Sequence, residues 1–145
     1  MLVDSSSALN SQANLLVLCE QDGGEREITN LLSGFDYRLF FAYRLADAFE
    51  ILSREPIQLI VSGVHLEDSD SYEFLNRVKA SPSWKQIPFV FLCLKRTQIA
   101  SYVDNALALA AKALGASKYV SLDRHNRGEI QSEIASCLTS SQQPG

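Results

Sequence analysis

The chain is constrained most by a regular alternation of short apolar runs with helical stripes. Each run is too short to form a stable helix, and most are bounded by glycine, proline or polar residues. The runs predict strands at Leu15–Cys19, Tyr37–Ala42, Ile57–Val61, Phe89–Leu94 and Lys118–Ser121. The clearest helical stripe, with i, i+3, i+4, i+7 spacing, is Leu45, Ala48, Phe49 and Leu52.

The other stripes complete five strand–helix units. The fourth helix is predicted to bury Val103, Leu107, Ala110 and Leu114, with Gly115 at its C-terminal cap. The last helix is predicted to bury Ile130, Ile134, Cys137 and Leu138. Strict alternation of strands and helices indicates an α/β protein with a parallel sheet covered on both faces. Continuous apolar strands fit this arrangement, because such a sheet is buried on both sides.

Ligands of such folds bind at the carboxyl ends of the strands. The residues at those ends are Cys19, Glu20, Gly63, Cys93 and Leu122.

Composition narrows the class of protein further. The chain has 145 residues, 46% of them hydrophobic and 21% charged, which is typical of one soluble globular domain. Its 13 basic and 17 acidic residues form no basic stripe, so nucleic-acid binding is disfavoured. No apolar run approaches the roughly 18 residues of a membrane span, and the N-terminus does not look like a signal peptide. Three cysteines without metal-ligand spacing favour a reducing, cytoplasmic location.

Three segments resemble the receiver (CheY-like) domain of bacterial two-component response regulators. They are IQLIVSGVHLEDSDSYEF from Ile57, IPFVFLCL from Ile87 and LGASKYV from Leu114. The resemblance implies a flavodoxin-like (βα)5 three-layer sandwich whose five parallel strands have the order 2-1-3-4-5. It implies a single domain over residues 14–139, between a flexible lead-in at 1–13 and a tail at 140–145.

The family transfers a phosphoryl group from a histidine kinase to an aspartate. It uses an acidic pair for Mg²⁺, the acceptor aspartate, a Thr or Ser and a Lys, each at a strand end. In this chain the acidic pair corresponds to Cys19 and Glu20, and the acceptor corresponds to Gly63, with Ser62 before it. The Thr or Ser position corresponds to Cys93, and the Lys position to Leu122. The resemblance therefore indicates a degenerate pseudo-receiver that has lost its acceptor and retains one carboxylate of the pair.

What the resemblance implies for function is signal transduction by protein–protein interaction, without enzymatic activity. The expected partner is a kinase, a regulator or a second copy in a homodimer, and no nucleic acid, membrane or cofactor is expected. Mg²⁺ binding is expected to be weak or absent. The candidate interaction face comprises Thr97, Ser101, Tyr102, Lys118, Tyr119 and Arg124. Because the likeness covers nearly all of the sequence, we expect the domain to act alone, through its own surface.

Two alternatives remain open from the residues. The acceptor could be displaced onto Asp68 or Asp70, although either carboxylate could instead cap the helix expected near Ser71. A ligand-binding or redox protein could use Cys19 and Cys93 at the strand ends. Their strands are two positions apart in the expected order, about 9.6 Å, whereas a disulfide needs Cα atoms within about 7 Å.

Overall fold

A computed structural model describes residues 12–20, 24–64, 70–94, 109–121 and 125–142. Its sheet has five strands in the order 2-1-3-4-5, counted along the chain, and all four strand pairs are parallel. This confirms the predicted fold. In chain order the elements are β1 (Ala13–Leu18), α1 (Gly24–Leu31), β2 (Tyr37–Ala42), α2 (Leu45–Arg54), β3 (Leu59–Gly63), α3 (Ser71–Ala80), β4 (Phe89–Cys93), α4 (described over 109–113), β5 (Lys118–Ser121) and α5 (Arg127–Gln142).

Two core layers hold the sheet between its helices. One layer packs against α2, α3 and the described part of α4, and it contains a run of touching aromatic rings. Phe74 lies edge-on to both Phe49 and Phe89, with ring centroids 5.4 Å apart in each pair. The other layer packs against α1 and α5 and is almost entirely aliphatic. All four residues of the predicted last stripe are buried in it, as expected.

Strand β3 corrects one predicted boundary. The apolar run Ile57–Val61 suggested a strand ending before Ser62, but β3 runs from Leu59 to Gly63. Ser62 is fully buried, and its hydroxyl donates a hydrogen bond to the Gly63 carbonyl oxygen at 2.9 Å. A buried serine can continue an apolar strand when its hydroxyl is satisfied in this way.

The described turns of α4 correct a predicted stripe. Ala111 is buried, whereas Ala110 is exposed and Leu114 is 41% exposed. Val103 and Leu107 lie outside the described residues. Gly115 is the predicted cap: its φ of +106° suits glycine, and the next residue, Ala116, donates its N–H to the Ala111 carbonyl. Leu114 lies in the turn that follows the helix, so the predicted stripe does not continue to it.

Both ends of the ordered core lie slightly outside the expected limits. β1 begins at Ala13, one residue inside the expected lead-in, and α5 continues to Gln142, inside the expected tail. The apolar stripe stops at Leu138, but no helix-breaking residue occurs before Pro144. Among the described residues, no helix is long and apolar enough to cross a membrane.

Candidate functional site

The carboxyl ends of β1, β3, β4 and β5 meet at one edge of the sheet. In the strand register Leu18 lies beside Ser62, Gly63 beside Leu92, and Cys93 beside the β5 residue Ser121. The sheet therefore brings the predicted positions on β3 and β4 together. Leu122, predicted to occupy the position of the family's lysine, is outside the described residues.

The centre of this edge has no acidic side chain among its described residues. β3 ends at Gly63, which has no side chain, and its register partner on β4 is Leu92. The one hydroxyl nearby, on Ser62, is buried and bonded to the Gly63 carbonyl oxygen. The position that the family resemblance assigns to the acceptor thus offers neither a carboxylate nor an exposed nucleophile.

The two cysteines at this edge lie on opposite faces of the sheet. Cys19 is buried in the layer beneath α1 and α5, and Cys93 in the layer beneath α2 and α3. Both are free thiols. The sheet separates the two side chains, which argues against the alternative of a shared crevice that uses both thiols.

Cys19 is also a poor nucleophile in its surroundings. Burial first, and then the nearby carboxylates of Glu25 and Glu20, raise the pKa of its thiol to about 12. The thiolate is the reactive form of cysteine, so the folded protein holds Cys19 in its inert state at neutral pH. Glu20, the retained member of the expected acidic pair, is partly exposed just beyond β1.

Asp70 is the N-terminal cap of α3, as the capping interpretation predicted. Its Oδ1 accepts the backbone N–H groups of Tyr72 at 2.9 Å and Glu73 at 3.1 Å. The helix begins at Ser71. Asp68, the other displaced-acceptor candidate, lies outside the described residues. In the described part of the chain, no three His, Cys, Asp or Glu residues are arranged to hold a metal ion.

The candidate interaction face is described at two positions. Lys118 is partly exposed, and its Nζ lies 3.0 Å from Glu133 Oε1 on α5. Tyr119 differs from the expectation of a surface ring: it is only 7% exposed and its ring centroid lies 6.2 Å from that of Phe91. In this structure Tyr119 belongs to the core layer that packs against α2, α3 and the described part of α4. The other four candidates, Thr97, Ser101, Tyr102 and Arg124, lie outside the described residues.

Sequence reasoning missed how the chain enters α5 beside the site. The His125 N–H donates to the Ser121 carbonyl oxygen at 2.7 Å, just before α5 begins. Asn126 and Glu129 then form a reciprocal cap, each side chain accepting the other's backbone N–H at 2.8 Å. The Asn-x-x-Glu spacing immediately before an apolar stripe is a readable signal for this cap.

A concavity opens at the amino-terminal end of β4 and β5, opposite the strand ends described above. Its volume is about 470 Å³, and its lining contains Lys79, Lys85, Gln86, Pro88, Ser117, Lys118, Ser136 and Cys137. Two of its three cations already have partners. Lys79 Nζ donates to the carbonyl oxygens of Lys85 and Ile87 at 3.1 and 3.2 Å, and Lys118 pairs with Glu133. Lys79 therefore stabilises the segment that leads into β4, and Lys118 stabilises the contact between β5 and α5.

Comparison with solved structures places this architecture among receiver domains. The chain is similar to the receiver domain of a signal transduction histidine kinase from Syntrophus aciditrophicus, with 16% identity, a TM-score of 0.72, and coverage of 92% of this chain and 95% of that one. It is also similar to a chemotaxis response regulator of Vibrio cholerae, with 17% identity, a TM-score of 0.69, and coverage of 87% and 98%. Full-length FixJ from B. japonicum matches at 18% identity and a TM-score of 0.72, over 90% of this chain and 59% of that one.

At the level of sequence, no family model and no curated protein matches the chain. Identities this low establish the fold and leave the function to be argued from the site. The fold is that of response regulator receiver domains.

Proposed function

We propose that this chain is a receiver-like signalling domain that acts by binding proteins and accepts no phosphoryl group on an aspartate. The observation that supports this most is the end of β3, where Gly63 lies beside Leu92 in an otherwise well-packed sheet. Phosphoryl transfer needs a nucleophile and a bound cation at the same point. Here the packing of the fold is retained, whereas the side chains for the chemistry are replaced.

Weak or absent Mg²⁺ binding is part of the same proposal. Mg²⁺ prefers several hard oxygen ligands held in near-octahedral geometry. At the described positions of this edge, the expected ligands have become a buried thiol, Cys19, and a glycine, Gly63, which leaves Glu20. One partly exposed carboxylate binds the ion no better than many surface sites do. The domain therefore needs no cofactor and catalyses no reaction in this proposal.

Protein partners are favoured over nucleic acid by charge. The chain has a formal net charge of −4 and its described cations are largely engaged in local contacts. We propose a kinase or another signalling regulator as the partner class, because the similar structures include a receiver domain of a histidine kinase and a chemotaxis regulator.

Calorimetric titration with Mg²⁺ tests the loss of the cation site. We expect no binding in the micromolar range, and we expect Glu20→Gln to leave the weak residual heat nearly unchanged. A micromolar dissociation constant that Glu20→Gln abolishes would contradict the proposal, because it would mean that a functional cation site persists around this carboxylate.

A phosphodonor experiment tests the displaced acceptor. The full chain is incubated with acetyl phosphate and Mg²⁺, and any modified peptide is mapped by mass spectrometry. Asp70→Asn is the matched variant, because asparagine retains the cap of α3 and removes the acceptor. We expect both proteins to remain unmodified. Labelling of the wild type that Asp70→Asn or Asp68→Asn removes would overturn the proposal and identify the acceptor.

A further inference from the structure

Strand β2 forms one outer edge of the sheet, and its hydrogen-bonding geometry can be read residue by residue. The carbonyl oxygens of Asp36 and Ala42 accept bonds from the N–H groups of Ala13 and Cys19, at 3.3 and 3.0 Å. The N–H and C=O of one strand residue point to the same side, and that side alternates from each residue to the next. The backbone groups of the even-numbered β2 residues therefore point towards β1. The odd-numbered ones, Tyr37, Leu39 and Phe41, turn their backbone groups away from the sheet.

This edge is apolar and shows few of the features that usually protect an edge strand. Its six residues read YRLFFA, with no proline, no lysine and one charge, Arg38. Arg38 extends its guanidinium over the Phe40 ring, 5.0 Å from the centroid. Just before the strand, Phe35 is 39% exposed and stacks on Tyr37 with ring centroids 5.3 Å apart. Among the described residues no strand pairs with this side of β2.

We propose that β2 pairs with β2 of a second copy, antiparallel about a two-fold axis, and joins the two sheets into one. A second copy is favoured because an antiparallel pairing of identical edges is self-complementary and closes on itself. The surface lies at the opposite end of the sheet from β5, so the inference does not depend on the interaction face or on the missing acceptor.

Charged side chains determine which register of the two antiparallel β2 strands is favoured. Because the outward backbone groups belong to odd-numbered residues, the axis passes through a residue rather than between two. An axis at Arg38 sets Arg38 against itself, and an axis at Phe41 sets Arg38 against Arg44, both of which are repulsive. An axis at Leu39 sets Arg38 against Phe40 and forms no pair of opposite charges. An axis at Tyr37 sets Arg38 against Asp36 but leaves Leu39 and Phe41 opposite Phe35 and Ser33, which precede the strand.

An axis at Phe40 combines charge complementarity with pairing along the whole strand. It places Leu39 opposite Phe41 of the second copy, where each pair exchanges two backbone bonds. It places exposed Asp36 opposite exposed Arg44 of the second copy, at both ends of the pairing. Arg44 can take part because it is still extended, with φ −135° and ψ 156°, before α2 begins.

Cysteine cross-linking tests both the dimer and its register. At the axis, Phe40 forms a non-hydrogen-bonded pair with itself, with Cα atoms about 4.5 Å apart, which is within the range of a disulfide. We expect Phe40→Cys to form a disulfide-linked dimer under mild oxidation. Arg38→Cys is the matched control, since its two copies would be about 14 Å apart and should not cross-link. The three native cysteines are buried and should not interfere.

Charge exchange tests the dimer without touching the apolar residues. Asp36→Arg or Arg44→Asp alone should weaken the dimer of the full chain, in sedimentation experiments, by roughly tenfold or more, because two pairs become repulsive. The double variant should restore most of the affinity. Thermal unfolding of each variant at low concentration separates lost pairing from lost folding.

Three results would overturn the inference. They are a wild type that stays monomeric at the highest soluble concentration, cross-linking at Arg38→Cys in preference to Phe40→Cys, and a dimer that the charge variants do not affect. Hydrogen exchange adds a further check on what covers the edge. Slow exchange of the Leu39 and Phe41 amides in a monomer would mean that the chain's own residues pair with β2, which also contradicts the proposal.

Discussion

The N-terminal cap of α3 gives the sharpest prediction about a single side chain. Asp70 supplies the only described side-chain cap bonds to the α3 backbone, with Oδ1 accepting the N–H groups of Tyr72 and Glu73. Asp70→Ala leaves both donors without this acceptor. Removing such a cap costs about 1 kcal/mol, within a range of about 0.5–2 kcal/mol. For a chain of this length each kcal/mol corresponds to a fall in Tm of about 2–4 °C.

The matched variant separates capping from any other role of this carboxylate. Asparagine is as good a cap as aspartate, so Asp70→Asn should lose only the favourable interaction of a negative charge with the helix terminus, about 0.3–1 kcal/mol at low salt. Urea denaturation followed by far-UV circular dichroism measures both. If Asp70→Ala is as stable as the wild type, or if Asp70→Asn is the less stable of the two, the cap is not what Asp70 contributes.

Three further predictions concern the core, a buried thiol and a turn. Phe74→Ala should lower the free energy of unfolding by about 3–5 kcal/mol in urea, because the fully buried ring contacts the rings of Phe49 and Phe89; a loss below about 1 kcal/mol would contradict that packing. Cys19 should resist alkylation at pH 8 in the folded protein and react on denaturation. Since burial raises its pKa from 9.0 to about 12, the protonated thiol stabilises the fold fully below pH 9, and this contribution should be lost as the pH rises towards 12. Stability measured across that range should therefore fall more steeply for the wild type than for Cys19→Ser, and equal slopes would refute the assignment. Gly115→Ala should cost about 1–2 kcal/mol because its φ is +106°, which thermal unfolding would detect, and an unchanged Tm would mean that the turn adapts.

Much of the fold follows from hydrophobic periodicity. Tyr37–Ala42 and Lys118–Ser121 are strands with the predicted bounds. Periodicity fails where a polar residue is buried with its own partner, as at Ser62, and where the helix ends before the stripe does, as at Leu114.

The candidate site was predictable in position and less so in arrangement. The strand ends could be located because parallel strands bring their carboxyl ends to one edge. Alternation along each strand places Cys19 with Val17, and Cys93 with Phe91, but only the packed helices show that the two thiols belong to separate layers. The burial of Tyr119 likewise depends on how the helices cover β5, which a motif match does not include.

We propose that this chain retains the receiver fold without its phosphoryl chemistry. The most direct measurement is the stoichiometry of phosphoryl groups on the intact wild-type chain after incubation with acetyl phosphate and Mg²⁺, with a conventional receiver domain treated in parallel. Because β3 ends at Gly63, we expect the conventional domain to gain a phosphoryl group and this chain to gain none. A gain approaching one phosphoryl group per chain, lost on treatment that cleaves acyl phosphates, would contradict it.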